Sequence, residues 1–250
     1  MHNYKNILLA AATTLLFSGQ ALAADTLKIG TEGAYPPFNL IDANGQVGGF
    51  DVEIAQALCA KMQAECEVVT SDWDGIIPAL NARKFDFLAA SMSITDERKQ
   101  AVDFTEAYYT NKLQFIAPKS AGFNTDKASL QGKVIGAQRA TIAGTWLEDN
   151  LDGVVEIKLY DTQENAYLDL TSGRLDGVLA DKFVNWQWLK SAAGQGFEFK
   201  GEPVFDNDRI GIAVRKNDPL RDRLNLALAA IIADGTYARI NQKYFPFSIY

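Results

Sequence analysis

Histidine is almost missing from this chain: its 250 residues include one, His2, at the extreme N-terminus. Imidazole catalysis and histidine-based metal sites are therefore excluded from the body of the protein, and no metal or other cofactor is expected. Cysteine is nearly as scarce, with only Cys59 and Cys66. A long apolar run is also lacking. Ile7 to Phe17 spans about eleven residues, well short of the roughly 20 that cross a bilayer. Positive charge is in deficit, with 24 Lys and Arg against 31 Asp and Glu and a net charge of −7. That balance argues against nucleic acid or an anionic membrane as partner.

The short apolar run instead has the anatomy of an export signal. Lys5 supplies a positive start, Ile7 to Phe17 the apolar core, and Ala21-Leu22-Ala23 a small-residue cleavage site. Residues 1–23 are expected to be removed after Ala23, leaving a soluble exported chain that starts at Ala24. Ala24 stands where a lipoprotein would carry cysteine. Loss of Lys5 takes the net charge to −8. The remaining residues suffice for two small domains or one large one.

What the chain does have is one phrase spoken twice. Arg83-Lys84-Phe85-Asp86-Phe87-Leu88-Ala89-Ala90-Ser91 is matched by Gly173-Arg174-Leu175-Asp176-Gly177-Val178-Leu179-Ala180-Asp181. Aligning Asp86 with Asp176 sets Ser91 opposite Asp181 at two strand ends. Lys28-Ile29-Gly30-Thr31-Glu32 pairs in the same way with Val134-Ile135-Gly136-Ala137-Gln138. Strand and helix signals alternate throughout, which predicts an α/β protein with largely parallel sheets. Ligands of open α/β sheets sit beyond the carboxyl ends of the strands. Two related lobes face to face would thus enclose one small polar molecule among Glu32, Ser91, Gln138 and Asp181.

Ile54, Leu58 and Met62 mark an amphipathic helix for which Asp51 is the candidate N-cap. A second helix is expected after Asp72-Trp73-Asp74-Gly75, with Pro78 in its early turns. Gly194 to Pro203 reads as a loop. The tail holds a strand, Ile210 to Val214, and helices over Pro219 to Ala233 and Thr236 to Tyr244. It matches neither repeat, so it is expected to return to the first lobe. The lobes are then 24–111 with 208–250, and 112–207, joined by two crossovers that act as a hinge. Within one helix Cys59 and Cys66 would lie about 10 Å apart, too far for a disulfide. A helix ending near Met62, followed by a strand from Glu65 to Thr70, would allow the bridge, and an oxidising compartment favours it. Two buried thiols are the alternative.

Ser91-Met92-Ser93-Ile94-Thr95-Asp96-Glu97-Arg98 leaves a strand, offers two hydroxyls and opens a helix capped by Thr95. Free N–H groups and the Arg98 fork suit a carboxylate; a plain cap with a solvated arginine is the alternative. Asp181 would answer an ammonium group, or else cap the helix behind it. Glu32 to Phe38, fixed by a glycine and two prolines, would bring a carboxylate and Tyr35 to the cleft. Trp73 would face that ring, and the two could sandwich an aliphatic stem or a guanidinium, unless both are simply core aromatics. Thr141 opens the helix after the second lobe's first strand and would meet the same carboxylate as Arg98. Gln138 and Gln163 would add selectivity.

Ile29-Gly30-Thr31-Glu32, Tyr35-Pro36-Pro37-Phe38, Gly49-Phe50-Asp51, Ser91-Met92-Ser93-Ile94-Thr95 with Arg98, Asp234-Gly235-Thr236-Tyr237 and Lys243-Tyr244-Phe245 together resemble the periplasmic amino-acid-binding proteins of ABC importers. The resemblance covers essentially the whole mature chain and points to the lysine/arginine/ornithine and histidine binders and their octopine and nopaline relatives. It implies a two-lobed, type II periplasmic-binding-protein fold in the periplasm, a monomer, and an inner-membrane ABC permease as partner. It implies that Arg98 binds the ligand α-carboxylate with Ser93 and Thr141, that Ser91 and Asp181 take the α-ammonium, and that Tyr35 and Trp73 sandwich the side chain. The Cys59 to Cys66 spacing also resembles the disulfide of the lysine/arginine/ornithine binders. Glu32 stands where basic-amino-acid binders usually have Asp, Trp73 where they often have Phe, Ala90 in place of a serine and Gln138 in place of an apolar residue. The longer Glu32 and broader Trp73 favour arginine, ahead of lysine, ornithine and histidine. Opine binding is the nearest alternative. Exported cyclohexadienyl or arogenate dehydratases share the fold, but their substrates lack the distal cation that Glu32 would answer, so a non-enzymatic receptor is expected.

Overall fold

The computed structural model describes residues 26–250, so the expected signal segment and its cleavage point lie outside the described residues. Two five-stranded sheets organise the chain. In the first, Glu65–Thr70, Thr26–Thr31 and Phe87–Leu88 run parallel, followed by Ala213–Arg215 and Val102–Phe104, with Ala213–Arg215 antiparallel to both neighbours. In the second, Glu156–Tyr160, Val134–Gln138 and Gly177–Asp181 run parallel, followed by the long strands Tyr109–Pro118 and Phe197–Ile210, each antiparallel to the strand before it. Both sheets place the first of their three parallel strands between the second and third. Helices such as Phe50–Lys61 and Ile142–Leu151 pack on them through apolar faces.

The sequence repeat is a structural one. Asp86 accepts from Lys28 N at 2.9 Å while its own N–H donates to Lys28 O at 2.8 Å. Asp176 makes the same clasp with Val134, both bonds at 2.8 Å. Two residues beyond each clasped residue is a glycine, Gly30 or Gly136, whose absent Cβ would lie within 2.7 Å of Phe85 and Leu88 or 2.5 Å of Leu175. In each lobe, close approach of the strand to an apolar side chain fixes that glycine.

The chain passes between the sheets twice, after Phe104 and after Ile210. These passages are tied together by Tyr108 N to Ile210 O at 2.9 Å, Thr105 N to Ile212 O at 2.9 Å, and the pairing of Tyr109 with Ile210. The tail returns to the first sheet as Ala213–Arg215. The expected strand from Ile210 to Val214 is therefore divided, with Gly211-Ile212 crossing between sheets. Nor is the segment from Gly194 a loop: Phe197–Lys200 pairs with Ala117 and its neighbours, and a bulge follows at Gly201, whose φ is +60°. Its alternating phenylalanines were the overlooked strand signal.

Helix Phe50–Lys61 ends where the cysteine geometry required. Its last turn leads through Met62 into strand Glu65–Thr70, bringing Cys59 and Cys66 to a Cα separation of 6.2 Å in a disulfide. Asp51 does not cap this helix. Gly49, with φ of +115°, holds the N-cap position because a Cβ there would meet Phe38 O at 2.3 Å. Asp51 instead turns inward, wholly buried.

Candidate functional site

The site is built at the strand ends, as the repeat required. Glu32 follows the first strand of the first sheet. Gln138 ends the equivalent strand of the second, and the two meet across the cleft with Gln138 Nε2 donating to Glu32 Oε1 at 2.7 Å. Ser91 and Asp181, the other matched pair, stand at the ends of the third strands. Glu32, Tyr35, Trp73, Ala90, Ser91, Ser93, Arg98, Gln138, Thr141 and Asp181, together with Ile142, line one cavity. Of these, only Ile142 was not singled out in the sequence. Gln163 is buried but does not line the cavity, and its Nε2 has no partner.

Arg98 enters from helix Asp96–Ala101, whose start is capped by Thr95 Oγ1 accepting from Arg98 N at 3.1 Å. Its guanidinium is not left to solvent. Nη1 donates to Ser93 O at 2.9 Å, Nη2 donates to Ala140 O at 2.8 Å, and the carbon lies 5.3 Å from the centre of the Trp73 ring. A guanidinium carries five N–H groups, so this fork is held in place with N–H groups to spare. Burial is the main influence lowering its pKa. Across the cleft Thr141 caps helix Ile142–Leu151, its hydroxyl accepting from Gly144 N at 3.2 Å and donating to Gln138 O at 2.7 Å. An arginine facing the start of a helix suits a carboxylate.

At the opposite wall Asp181 is buried and precedes helix Lys182–Leu189, yet makes no side-chain cap bond. Capping therefore does not account for it. Burial, followed by the neighbouring charge of Asp208, pushes its carboxyl well above the ordinary range, while hydrogen bonds from Tyr35 and Asn111 act in the other direction. A buried anion in that state is stabilised by a cation. Glu32 is pushed up to about 7, mainly by burial, with Asp72 and Asp74 adding and Gln138 opposing. Tyr35 and Trp73 are both buried, with Trp73 Nε1 donating to Ala140 O at 3.1 Å. The cavity thus offers an anion receptor flanked by two cation receptors.

Behind the lining lies a support that the sequence concealed. Asp51 accepts from Ser91 Oγ at 2.9 Å, Tyr108 Oη at 2.6 Å and Asn39 Nδ2 at 3.1 Å. Asn39 in turn accepts from Gly33 N at 2.8 Å and so fixes the turn that presents Glu32. Ser91 itself has φ of +51°, an unfavourable conformation for a non-glycine residue, which Asp51 helps to hold. The signal available was an acid inside the otherwise apolar Gly49-Phe50-Asp51-Val52; read as a cap, it lost its meaning. Asp208 was also missed. It alternates with buried Ile210 on an edge strand whose neighbours at Asp206 and Asn207 are exposed.

Comparison with known proteins agrees with this architecture. The family described as bacterial extracellular solute-binding proteins, family 3, matches residues 27–247. The chain is 43% identical to the L-arginine-binding protein of Pseudomonas aeruginosa over 98% of both chains. It is 37% identical to the lysine/arginine/ornithine-binding periplasmic protein of Escherichia coli over 93% of this chain and 92% of that one. Among solved structures, an ancestral arginine-binding protein bound to arginine is 36% identical, with a TM-score of 0.83 over 88% of this chain and 98% of that one. A match running from the first strand to the end of the last helix, on a fold with the same cleft, leaves one conclusion: the chain belongs to family 3 of the bacterial extracellular solute-binding proteins.

Proposed function

We propose that this protein is the periplasmic binding component of an ABC importer and closes on a cationic L-amino acid, with arginine preferred. The observation that carries the reading is a single cavity with Arg98 and the Thr141 helix start on one side and Asp181 and Glu32 on the others. A zwitterion with a distal positive charge satisfies all of them. Arg98, Ser93 and Thr141 take the α-carboxylate, and Ser91 and Asp181 the α-ammonium. Tyr35 and Trp73 enclose the stem, Glu32 with Gln138 receives the guanidinium, and Ala90 contributes wall. The names of the arginine-binding relatives support the same ligand. One amino acid is favoured over an opine, whose extra carboxylate would also face Asp181.

Closure follows from the electrostatics. An empty closed cleft buries Glu32 and Asp181 without a cation, so a ligand that supplies two positive charges favours the closed form. That form docks on a permease, with the protein acting as a monomer. The lobes comprise 24–111 with 208–250, and 112–207, with the hinge at the start of strand Tyr109–Pro118 and the end of strand Phe197–Ile210, both of the second sheet, and export removes residues 1–23.

A thermal-shift screen of the refolded, ligand-stripped protein against L-amino acids, opines and polyamines tests the reading. The largest stabilisation is expected with arginine, then lysine and ornithine. A response confined to opines would reassign the ligand, and silence towards every amino acid would overturn the proposal.

A further inference from the structure

A buried carboxylate that no role has yet absorbed stands behind the cavity. Asp208 lies in strand Phe197–Ile210 and is 3% exposed. In register opposite it, on strand Tyr109–Pro118, is wholly buried Asn111, whose Nδ2 donates to Asp208 Oδ2 at 3.2 Å. On the other side of that strand Asp181 pairs in register with Leu113, two residues from Asn111. Residues two apart on a strand share a face, so Asp181, Asn111 and Asp208 stand on one face of the second sheet. Asn111 also lies close enough to Asp181 to favour its charged form. Its Oδ1 has no hydrogen-bond partner. Ser93, part of the cavity wall from the first half of the chain, lies close enough to Asp208 to favour its charged form.

We propose that Asp208 is the second carboxylate of the ammonium subsite, a positioning and specificity-determining residue that acts on the ligand α-ammonium through Asn111 and Asp181. The inference rests on the cleft being an amino-acid site. Its logic is local charge. Arg98 is the cation whose charge reaches both carboxylates, and its fork already serves Ser93 O, Ala140 O and the ligand carboxylate. One aspartate would balance one ammonium. Two aspartates leave an excess of negative charge that only a full cation relieves, and a hydroxyl or an uncharged group at the same place relieves none of it. Burial holds both carboxyls above the ordinary range, and the charge of Asp208 adds to this at Asp181, as expected for an acidic pair without enough cations.

The test pairs a variant with a ligand analogue. Arginine and 5-guanidinopentanoate, which is arginine without its α-amino group, are titrated by calorimetry into wild-type protein, Asp208→Asn and, as a second variant, Asp208→Ser. Asp208→Asn keeps the side-chain shape. Arginine is expected to weaken by about tenfold, the size of 1.4 kcal/mol, while the analogue binds the variants as well as the wild type or better. Equal losses for both ligands would reduce Asp208 to a structural residue, and no loss for either would remove it from the subsite. Should wild-type protein ignore arginine, the proposed ligand fails. The same cycle, run with the amino acid selected by the screen and its deamino analogue, then decides the role of Asp208.

Discussion

The two halves of this molecule are built alike and finished differently. Both place the first of their three parallel strands between the second and third, both clasp that strand with an aspartate, Asp86 or Asp176, and both need a glycine where the strand passes an apolar side chain. At the strand ends the likeness stops: Glu32 faces Gln138 and Ser91 is matched with Asp181. After Glu32 the first half inserts three short strands before its helix, whereas after Gln138 the second half enters helix Ile142–Leu151 within a few residues. Backbone pairing constrains the clasp and the glycine, and it asks nothing of the side chain at a strand end. A duplicated frame can therefore retain its fold while, in each matched pair of ends, one residue is an acid and the other is neutral.

The largest expected effects test that division of labour. Arg98→Ala should abolish the carboxylate receptor of one half, and Asp181→Ala the ammonium receptor of the other. Each is expected to weaken arginine by more than about a hundredfold, the 2 to 5 kcal/mol typical of truncating one partner of a buried charged pair, with the folded protein retained. Calorimetry and a thermal melt check both points; a loss in one variant alone would mean that a single half carries recognition. Cys59→Ser with Cys66→Ser probes a feature only the first half has. Removing this short cross-link should destabilise the protein by about 2 kcal/mol and leave arginine affinity unchanged, since neither cysteine lines the cavity.

Glu32→Gln makes the two matched strand ends identical in type. Arginine should bind about tenfold more weakly, a loss of about 1.4 kcal/mol, and more weakly relative to amino acids with neutral side chains. The pH dependence has a definite sign. Glu32 is pushed up from 4.5 to about 7 in the closed cleft, so closure without ligand is opposed above pH 7. The penalty fades as pH falls towards 4.5. Small-angle scattering of ligand-free protein should show more compact molecules at pH 5 than at pH 8, and Glu32→Gln should flatten this difference. The smallest effect belongs to the clasps. Asp86→Ala and Asp176→Ala should each cost about 1 kcal/mol in denaturant unfolding. The Asp86 change should cost the more, because Asp86 faces Arg215 at 3.4 Å, a closer and more buried partner than Lys133 at 3.8 Å from Asp176.

Much of this design was legible in the sequence, and what was hidden has a common cause. The repeat predicted the matched strands, and of the eleven residues singled out for the cleft all but Gln163 line one cavity. Asp51, Asn39, Tyr108 and Asp208 escaped because their partners are 12 to 57 positions away in one network and 97 away in the other. Local patterns register caps and amphipathic faces; they carry no trace of a hydrogen bond closed by tertiary folding. The strand from Phe197 escaped for a simpler reason, since glycine and proline around Pro203 outweighed its alternation of phenylalanines.

One carbonyl has kinetic meaning. Ala140 O, on a residue with φ of +53°, accepts from both Trp73 and Arg98 across the cleft. Both bonds belong to the protein alone and are made whichever molecule is enclosed. Their strength therefore multiplies the dwell time of every occupant by one common factor and leaves the ranking of occupants untouched. Substitution of Ala140 itself would retime capture and release as a clock is regulated, without changing what the cleft chooses.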